Sequence, residues 1–168
     1  MKTGKKRDTE PWGPNYRWEH TLRVAHWAWI LANEEGADVE KCVVSALFHD
    51  VSHFVVKEYR RHGEKSAEIA TKYMTKAGCA KDYAKEVSYA VKSHVGERSP
   101  ATIEAKILQD ADTLDRFGLF RFLLFGKTAD FSNLRKLKAD IQSFLEYLRK
   151  VDEGEFGPMW TKRGKEKV

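Results

Sequence analysis

The chain has 168 residues, with 30 Lys and Arg against 25 Asp and Glu and a formal net charge of +5. This length predicts one domain whose core folds without disulfides, and the two cysteines exclude a disulfide framework or a cysteine-rich zinc site. Neither an apolar signal region nor a membrane-spanning stretch is visible, so we expect a cytoplasmic protein without a membrane partner.

Basic residues are concentrated at both ends of the chain. Residues 1–14 predict an irregular basic N-terminus, and residues 153–168 predict a basic C-terminal tail. Residues 15–152 contain no repeat and no linker, and form one predicted domain. The basic ends are either solvated and frayed, or they attract polyanions such as nucleic acid. We favour solvated ends and do not expect nucleic acid as a partner.

Helical periodicity governs the first part of the predicted domain. His20 shares an apolar helix face with Leu31, and Gly36 is expected to end that helix. A second helix is predicted over residues 39–49. The residues that follow it, 51–61, are predicted to form a loop.

The third and fourth helices are expected over residues 63–77 and 80–95. His94 lies on the apolar stripe of the fourth helix. Ser99-Pro100 then predicts the start of a fifth helix, since proline is favoured at the first helical position.

The last two predicted helices complete the fold class. Asp112 lies at the edge of the buried stripe of the fifth helix, next to Ile107 and Ala111. A final helix over residues 133–151 is expected to direct five aliphatic side chains inward: Leu134, Leu137, Ile141, Leu145 and Leu148. Because no stretch alternates with the period of a strand, we predict an all-α bundle of about six to seven helices.

Three of these helices place metal-ligand residue types within reach of one another. The predicted metal set is His20, His49, Asp50 and Asp112. Neutral imidazoles and carboxylates bind Mn2+, Mg2+ or Fe2+ and leave positions open for water and substrate oxygens. Taken singly, each histidine reads as an ordinary core residue and Asp112 as a solvated acid. Taken together they favour a metal site, because burying several ionisable groups without a partner is costly.

Several longer segments resemble the HD-domain phosphohydrolase superfamily, whose ligands follow an H…HD…D order. The similar segments, within residues 16–126, are HTLRVA, ALFHDVS, HGEKSAEIA, VSYAVKSHV and IEAKILQDADTLDRFG. The resemblance is to small stand-alone prokaryotic members, and it implies an all-α bundle with a divalent ion (Mn2+, Mg2+, Fe2+, Co2+ or Ni2+). It also implies hydrolysis of a phosphate ester or anhydride of a small metabolite, in the first place a nucleotide, by metal-activated water. Asp50 would be the catalytic bridging or orienting carboxylate.

The same resemblance gives His62 and His94 two possible roles. In some members such histidines bind a second ion, and in others they contact substrate phosphates. We expect one ion rather than two. Without either role, His62 caps a helix and His94 is a core histidine. His53 stands where some members have a catalytic glutamate, so it is either a catalytic acid or a surface-loop residue.

Basic side chains near the expected site are candidates for binding substrate phosphate. These candidates are Arg23, Lys57 and Arg116. The alternatives are an ion pair of Arg23 with an acidic side chain, a pairing of Arg116 with Asp112 or Asp115, and a solvated surface for Lys57. Asp110 and Asp115 flank Asp112 and are either orienting residues or exposed helix acids.

Two other functions use the same fold. One is a catalytically silent nucleotide-binding or regulatory module, and the other is a di-iron HD-type oxygenase. The favoured partner is a small phosphorylated substrate. A homodimer is also possible, because the apolar segment over residues 117–125 is either core or a dimer surface.

Overall fold

The computed structural model describes residues 15–55, 61–95, 99–116, 122–123, 125–126, 129–153 and 158–167. All regular structure in these ranges is helical, with seven α-helices, numbered α1 to α7, and one 3-10 turn. This confirms the predicted all-α fold. None of the helices in the described ranges has both the length and the apolarity that a bilayer crossing requires. The predicted irregular N-terminus, residues 1–14, lies outside the described residues.

The first two helices form where the sequence predicts, and each has a defined end. α1 spans Tyr16–Glu35 and ends at Gly36, whose φ of 69° is a left-handed conformation that glycine adopts without strain. α2 spans Val39–Phe48. The Asp38 carboxylate caps its start by accepting a hydrogen bond from the Lys41 backbone N–H at 3.0 Å. The His-Asp pair therefore follows directly on the last residue of α2.

The next three helices are α3 over His62–Lys76, α4 over Lys81–Ser93 and α5 over Ile103–Arg116. The segment between α2 and α3 is not a simple loop, because Val51–Phe54 form a 3-10 turn. That turn continues the chain from α2 toward the start of α3. Residues 56–60 lie outside the described residues.

The predicted start of α5 is wrong. Ser99 and Pro100 precede the helix, and Thr102 caps it by accepting a hydrogen bond on Oγ1 from the Ala105 backbone N–H at 3.2 Å. The threonine hydroxyl accepts a hydrogen bond from a backbone N–H of the first helical turn, whereas a proline ring has no acceptor for it. Thr102 therefore sets the start of α5. Pro100 is fully buried ahead of the helix.

α6 spans Leu134–Asp152, close to the predicted range, but its expected inward face is largely exposed. The prediction is wrong for Leu134, Ile141 and Leu145, which are 83%, 41% and 59% exposed. Helical periodicity shows that a helix has an apolar face, and does not show which element covers it. The predicted dimer segment over residues 117–125 lies mostly outside the described residues.

Two apolar clusters form the interior, and α2 lies between them. Buried side chains of α1, α2 and α5, joined by Ala90 of α4, form the first cluster, which includes Val24, Ala28, Leu31, Cys42, Ala46, Ile107, Leu108 and Ala111. Buried side chains of α3 and α4 form the second, with Val44 and Phe48 of α2 packed against Ala67, Ala70, Met74, Val87 and Val91. Because α2 contributes to both clusters, its C-terminal end is fixed at their junction.

The C-terminal segment is anchored to α5. The fully buried Asp110 carboxylate accepts hydrogen bonds from the backbone N–H groups of Trp160 and Thr161, each at 2.8 Å. Thr161 caps α7, which spans Lys162–Glu166, and Gly164 lies so close to Asp110 that a Cβ would be 2.6 Å from Oδ2. The prediction of a solvated tail is therefore wrong for this segment. The described hydrogen bonds of Asp110 thus anchor this segment.

Replacing Asp110 with Ala is expected to lower the free energy of unfolding by about 2–4 kcal/mol, since two backbone donors lose their buried acceptor. Urea unfolding followed by circular dichroism measures the change. Asp82→Ala on the exposed start of α4 is the control and should change stability by less than about 0.5 kcal/mol. Equal unfolding midpoints for the two variants would contradict the anchor.

Candidate metal centre

The four predicted metal ligands converge at the end of α2. The ring nitrogen Nε2 of His20 lies 3.2 Å from Nε2 of His49 and 3.4 Å from Oδ1 of Asp112. Oδ2 of Asp50 lies 3.8 Å from His20 Nε2 and 3.7 Å from His49 Nε2. The four side chains come from α1, the end of α2 and α5, as the sequence predicts. Their role as metal ligands stays a prediction.

A second set of histidines surrounds the other oxygen of Asp50. Oδ1 lies 3.5 Å from Nε2 of His62, 3.7 Å from Nε2 of His94 and 3.5 Å from Nε2 of His53. We call His20, His49 and Asp112 the first group, and His62 and His94 the second group. The ligand atoms of the first group lie within 4.8 Å of one another, as do those of the second group with Asp50. The Asp50 carboxylate therefore lies between two ligand groups.

A glycine allows the two helices of the second group to meet. A Cβ at Gly63 would lie 2.9 Å from the Lys92 carbonyl oxygen and 3.3 Å from Cγ2 of Val95. The backbone at the start of α3 therefore approaches the end of α4 more closely than a side chain permits. This approach brings His62 next to His94, with ring centroids 5.1 Å apart.

Hydrogen bonds direct Nε2 of three histidines into the centre. Nδ1 of His20 donates to Asp115 Oδ2 at 2.7 Å, and Nδ1 of His49 donates to the Ala46 carbonyl at 2.6 Å. Nδ1 of His94 donates to the Val91 carbonyl at 2.6 Å. An oxygen acceptor requires the proton on Nδ1, which leaves Nε2 of each neutral ring as a lone pair. Each ring thus presents a metal-binding atom.

The residues present fit a bound cation. In the first group, Nε2 of His20 and Nε2 of His49 lie 3.2 Å apart and share one proton when His20 is protonated; a cation that displaces this proton would be held by both lone pairs. In the second group, Nε2 of His94 is buried and has no hydrogen-bond partner among the described residues. Leaving such an atom unsatisfied costs about 1–3 kcal/mol. A divalent ion on each side of Asp50 would satisfy both arrangements with the donor types that such ions accept.

The charges of the first group follow from its burial and its neighbours. Burial by itself lowers the pKa of His20, but Asp112 and Asp115 beside the ring outweigh it and raise that pKa to about 9. Burial lowers the pKa of His49, which is fully buried. Burial would raise the pKa of Asp112, but the Arg116 guanidinium and the neighbouring imidazoles hold it well below its usual range. The cluster thus combines ionised carboxylates with one protonated ring at neutral pH.

His53 lies beside the second group, with its ring stacked on His62 at 4.6 Å between centroids. Burial lowers the pKa of His53 to about 4, against the opposing charge of Asp50. The imidazole is therefore neutral at pH 7. A neutral ring accepts a proton or binds a metal, which differs from the acid role expected from the sequence.

The basic candidates from the sequence have distinct positions. Arg23 forms an ion pair with Asp115, with Nε 2.6 Å from Oδ1. Arg116 donates to Asp112 Oδ2 at 2.5 Å, so it does reach the site through that carboxylate. Lys57 lies outside the described residues.

Sequence reasoning missed Arg17, which lies at the rim of the site. Its Nη1 atom is 3.8 Å from Asp50 Oδ2, and its side chain is 28% exposed. Arg17 precedes His20 by less than one helical turn, so its spacing to a predicted ligand was the available signal. A guanidinium there is well placed for an anion approaching Asp50 from solvent.

Comparison with known protein families and structures identifies a family and several relatives. A family model described as HD domain matches residues 17–116. Ribonuclease Y from Syntrophomonas wolfei is 32% identical over 96 residues, which cover 56% of this chain and 17% of that protein. Ribonuclease Y from Nitratiruptor sp. is 35% identical over 99 residues, with 56% and 17% coverage. The chain thus spans less than a fifth of these curated relatives.

Two crystal structures are similar over most of the chain. A predicted HD superfamily hydrolase from an uncultured Thermotogales bacterium has a TM-score of 0.58 and 27% identity, covering 79% of this chain and 77% of that one. A protein from Listeria innocua has a TM-score of 0.61 at 22% identity, covering 89% and 76%, and this likeness concerns the fold alone. Both likenesses extend over most of the helical bundle.

Proposed function

Because the chain belongs to the HD domain family, we propose that it is a metal-dependent phosphohydrolase that cleaves a phosphate ester or anhydride. The observation that supports this most strongly is the position of Asp50, whose two carboxylate oxygens face different ligand groups. A carboxylate placed in this way can join two ions at one reacting phosphate. The similarity to an HD superfamily hydrolase is consistent with the proposal.

We propose two ions, although the sequence favours one. His20, His49 and Asp112 would hold one ion, His62 and His94 would hold the other, and Asp50 would be shared. Divalent ions bound there would lower the pKa of a coordinated water and screen the charge of a phosphoryl group under attack. The first group has two carboxylates in reach, and the second has three imidazoles if His53 joins it.

The remaining residues of the site would act on the substrate and its protons. Arg17 would bind the phosphate oxygens at the rim, where its charge lies next to Asp50. Arg116 would hold Asp112 in place through their ion pair. His53, neutral at pH 7, would accept a proton from the attacking water or complete the second group. Contacts of Lys57 with substrate stay a prediction.

The favoured substrate is a small phosphorylated metabolite, in the first place a nucleotide. The similarity to ribonuclease Y adds a second candidate, a phosphodiester of RNA, which the sequence analysis did not favour. The two differ in the bond broken: a monoester or anhydride releases phosphate or pyrophosphate, and a diester leaves a shortened chain.

Activity assays separate these possibilities from a silent module and from an oxygenase. The purified protein would be loaded separately with Mn2+, Mg2+, Fe2+, Co2+ and Ni2+ and given a panel of nucleotides and short RNAs. Release of phosphate, pyrophosphate or RNA fragments supports the proposal. Stabilisation by nucleotides without turnover would instead indicate a binding module, and dioxygen uptake by the iron form would indicate an oxygenase.

Metal binding at pH 7.5 is expected to release about one proton for the first ion, because His20 is protonated below its pKa of about 9 and must lose that proton to bind. His49 should contribute none, since burial keeps its ring neutral. Calorimetric titration with Mn2+ in buffers of different ionisation enthalpy measures the number. Affinity should rise with pH from 7 to 9 and level off above it. A binding enthalpy that is the same in every buffer would contradict this assignment.

A further inference from the structure

For His20, His49 and His94 the structure describes the partner of Nδ1, the ring nitrogen that faces away from the centre. Among these three partners, Asp115 is the charged one. It accepts from His20 Nδ1 at 2.7 Å, whereas His49 and His94 donate Nδ1 to backbone carbonyls. The Asp115 side chain is 4% exposed. A carboxylate hydrogen-bonded to a ligating imidazole fixes its tautomer and makes Nε2 a stronger donor to a metal.

Arg23 keeps that carboxylate in position. Its Nε and Nη2 atoms donate to Oδ1 and Oδ2 of Asp115 at 2.6 and 3.1 Å, which is a two-point contact that fixes the plane of the carboxylate. The pairing also compensates the buried charge of Asp115. Arg23 is three residues after His20 on α1, so one helix supplies both the ligand and the clamp on its partner.

The carboxylates are distributed unevenly between the two groups. The first group contains Asp112 and faces one oxygen of Asp50, so two carboxylates can reach its ion, while Asp115, paired with Arg23, lies directly behind His20. Of the described carboxylates, the one that reaches His62 and His94 is Asp50, through its other oxygen. Affinity for a divalent ion increases with the number of charged oxygens around it.

From these contacts we infer that Asp115, clamped by Arg23, is a positioning residue that makes the first group the tight metal site and leaves the second group to bind its ion more weakly. The inference rests on the proposed function only in that the groups bind divalent ions. Arg23 would then influence metal binding through Asp115 and His20, whereas the sequence predicts that it contacts the substrate. It also predicts an order of loading, with the first group filled before the second.

The test is a titration of the metal-free 168-residue chain with Mn2+ alone, with the free ion measured by electron paramagnetic resonance. The wild type should show a tight and a weak class of site. Asp115→Asn, which keeps the shape and removes the charge, should weaken the tight class by about 10–100-fold and leave the weak class unchanged. Arg23→Lys should give a smaller loss, because lysine keeps the charge without the two-point contact.

A matched control is Glu153→Gln, which breaks an exposed Arg149–Glu153 ion pair of equal length at the C-terminal end of α6. It should leave both classes unchanged. Proton NMR of the Zn2+-loaded protein separates positioning from a purely structural role. In Asp115→Asn the signal of the His20 Nδ1 proton should shift upfield, while the signals of the other histidines stay in place. If Asp115→Asn fails to fold, Arg23→Lys provides the same two readouts.

Unchanged affinity of the tight class in Asp115→Asn would overturn the inference, and so would an equal loss in both classes. Because the titration needs no turnover, these outcomes are distinct from a failure of the proposed function. A wild type that binds two classes of ion and hydrolyses nothing would reject the function and leave the inference standing. Hydrolysis by the wild type, together with unaltered metal affinity in Asp115→Asn, would support the function and reject the inference.

Discussion

Replacing Asp50 with Asn should reduce the rate of hydrolysis by on the order of 10³-fold. This exceeds the roughly 10–100-fold loss that follows when a residue hydrogen-bonded to a metal ligand is removed. Asp50 faces both ligand groups, so the substitution removes charge from both at once. An amide has the same shape as the carboxylate, and the fold should be kept. Initial rates with the best substrate from the panel, together with bound metal per chain, measure the effect.

Asp82→Asn is the control, because Asp82 lies exposed in the first turn of α4 and should keep the rate and metal content of the wild type. Circular dichroism verifies that Asp50→Asn is folded. Hydrolysis within tenfold of the wild-type rate by a folded Asp50→Asn protein would be incompatible with a shared carboxylate at the centre.

Replacing His94 with Leu should lower activity by at least about 100-fold, while the metal-free protein loses little or no stability. The substitution removes a proposed second-group ligand, and it also removes a buried Nε2 atom that has no hydrogen-bond partner in the described part of the chain. The apolar side chain relieves that cost, of about 1–3 kcal/mol, against the loss of the bond to the Val91 carbonyl. Activity and thermal unfolding after removal of metal by a chelator are the two measurements.

The opposite pattern would identify His94 as an ordinary core histidine. In that case His94→Leu would retain activity and would lower the unfolding temperature of the metal-free protein. His26→Leu is the control, since His26 is exposed on α1 and stacks on Trp29 at 6.1 Å, away from the ligand groups. It should keep the activity of the wild type.

The sequence predicts the first group well for a physical reason. His20 and Asp112 lie on or beside apolar helix faces, so their burial follows from periodicity, and buried ionisable groups need a shared partner. The His-Asp pair ends a helix whose apolar residues fix its place in the core. The segments of the HD family then indicate which helices meet.

The second group depends on a contact that periodicity does not encode. His62 reaches His94 because Gly63 lets α3 approach the Lys92 carbonyl, and the meaning of that glycine appears only with both helices in place. The sequence likewise leaves the role of Asp115 undecided, since an exposed helix acid and an orienting carboxylate have the same sequence pattern. The contacts of His20 and Arg23 decide between them.

The C-terminal segment and α6 show the limits of reading charge and amphipathicity alone. A basic tail predicts solvation, yet the buried Asp110 binds the backbone of Trp160 and Thr161, 50 and 51 residues further along the chain. Conversely, the apolar positions of α6 predict burial, and Leu134 is 83% exposed. Both outcomes depend on which elements are neighbours in three dimensions, which a local pattern does not specify.

The most direct test is a crystal of the full chain grown with Mn2+, with anomalous scattering recorded at the manganese edge. Two peaks are expected, one bounded by His20, His49 and Asp112 and one by His62 and His94, with an oxygen of Asp50 on each. A single peak elsewhere, or side chains of Asp50 and Asp112 turned away from any bound manganese, would contradict a metal centre built around Asp50.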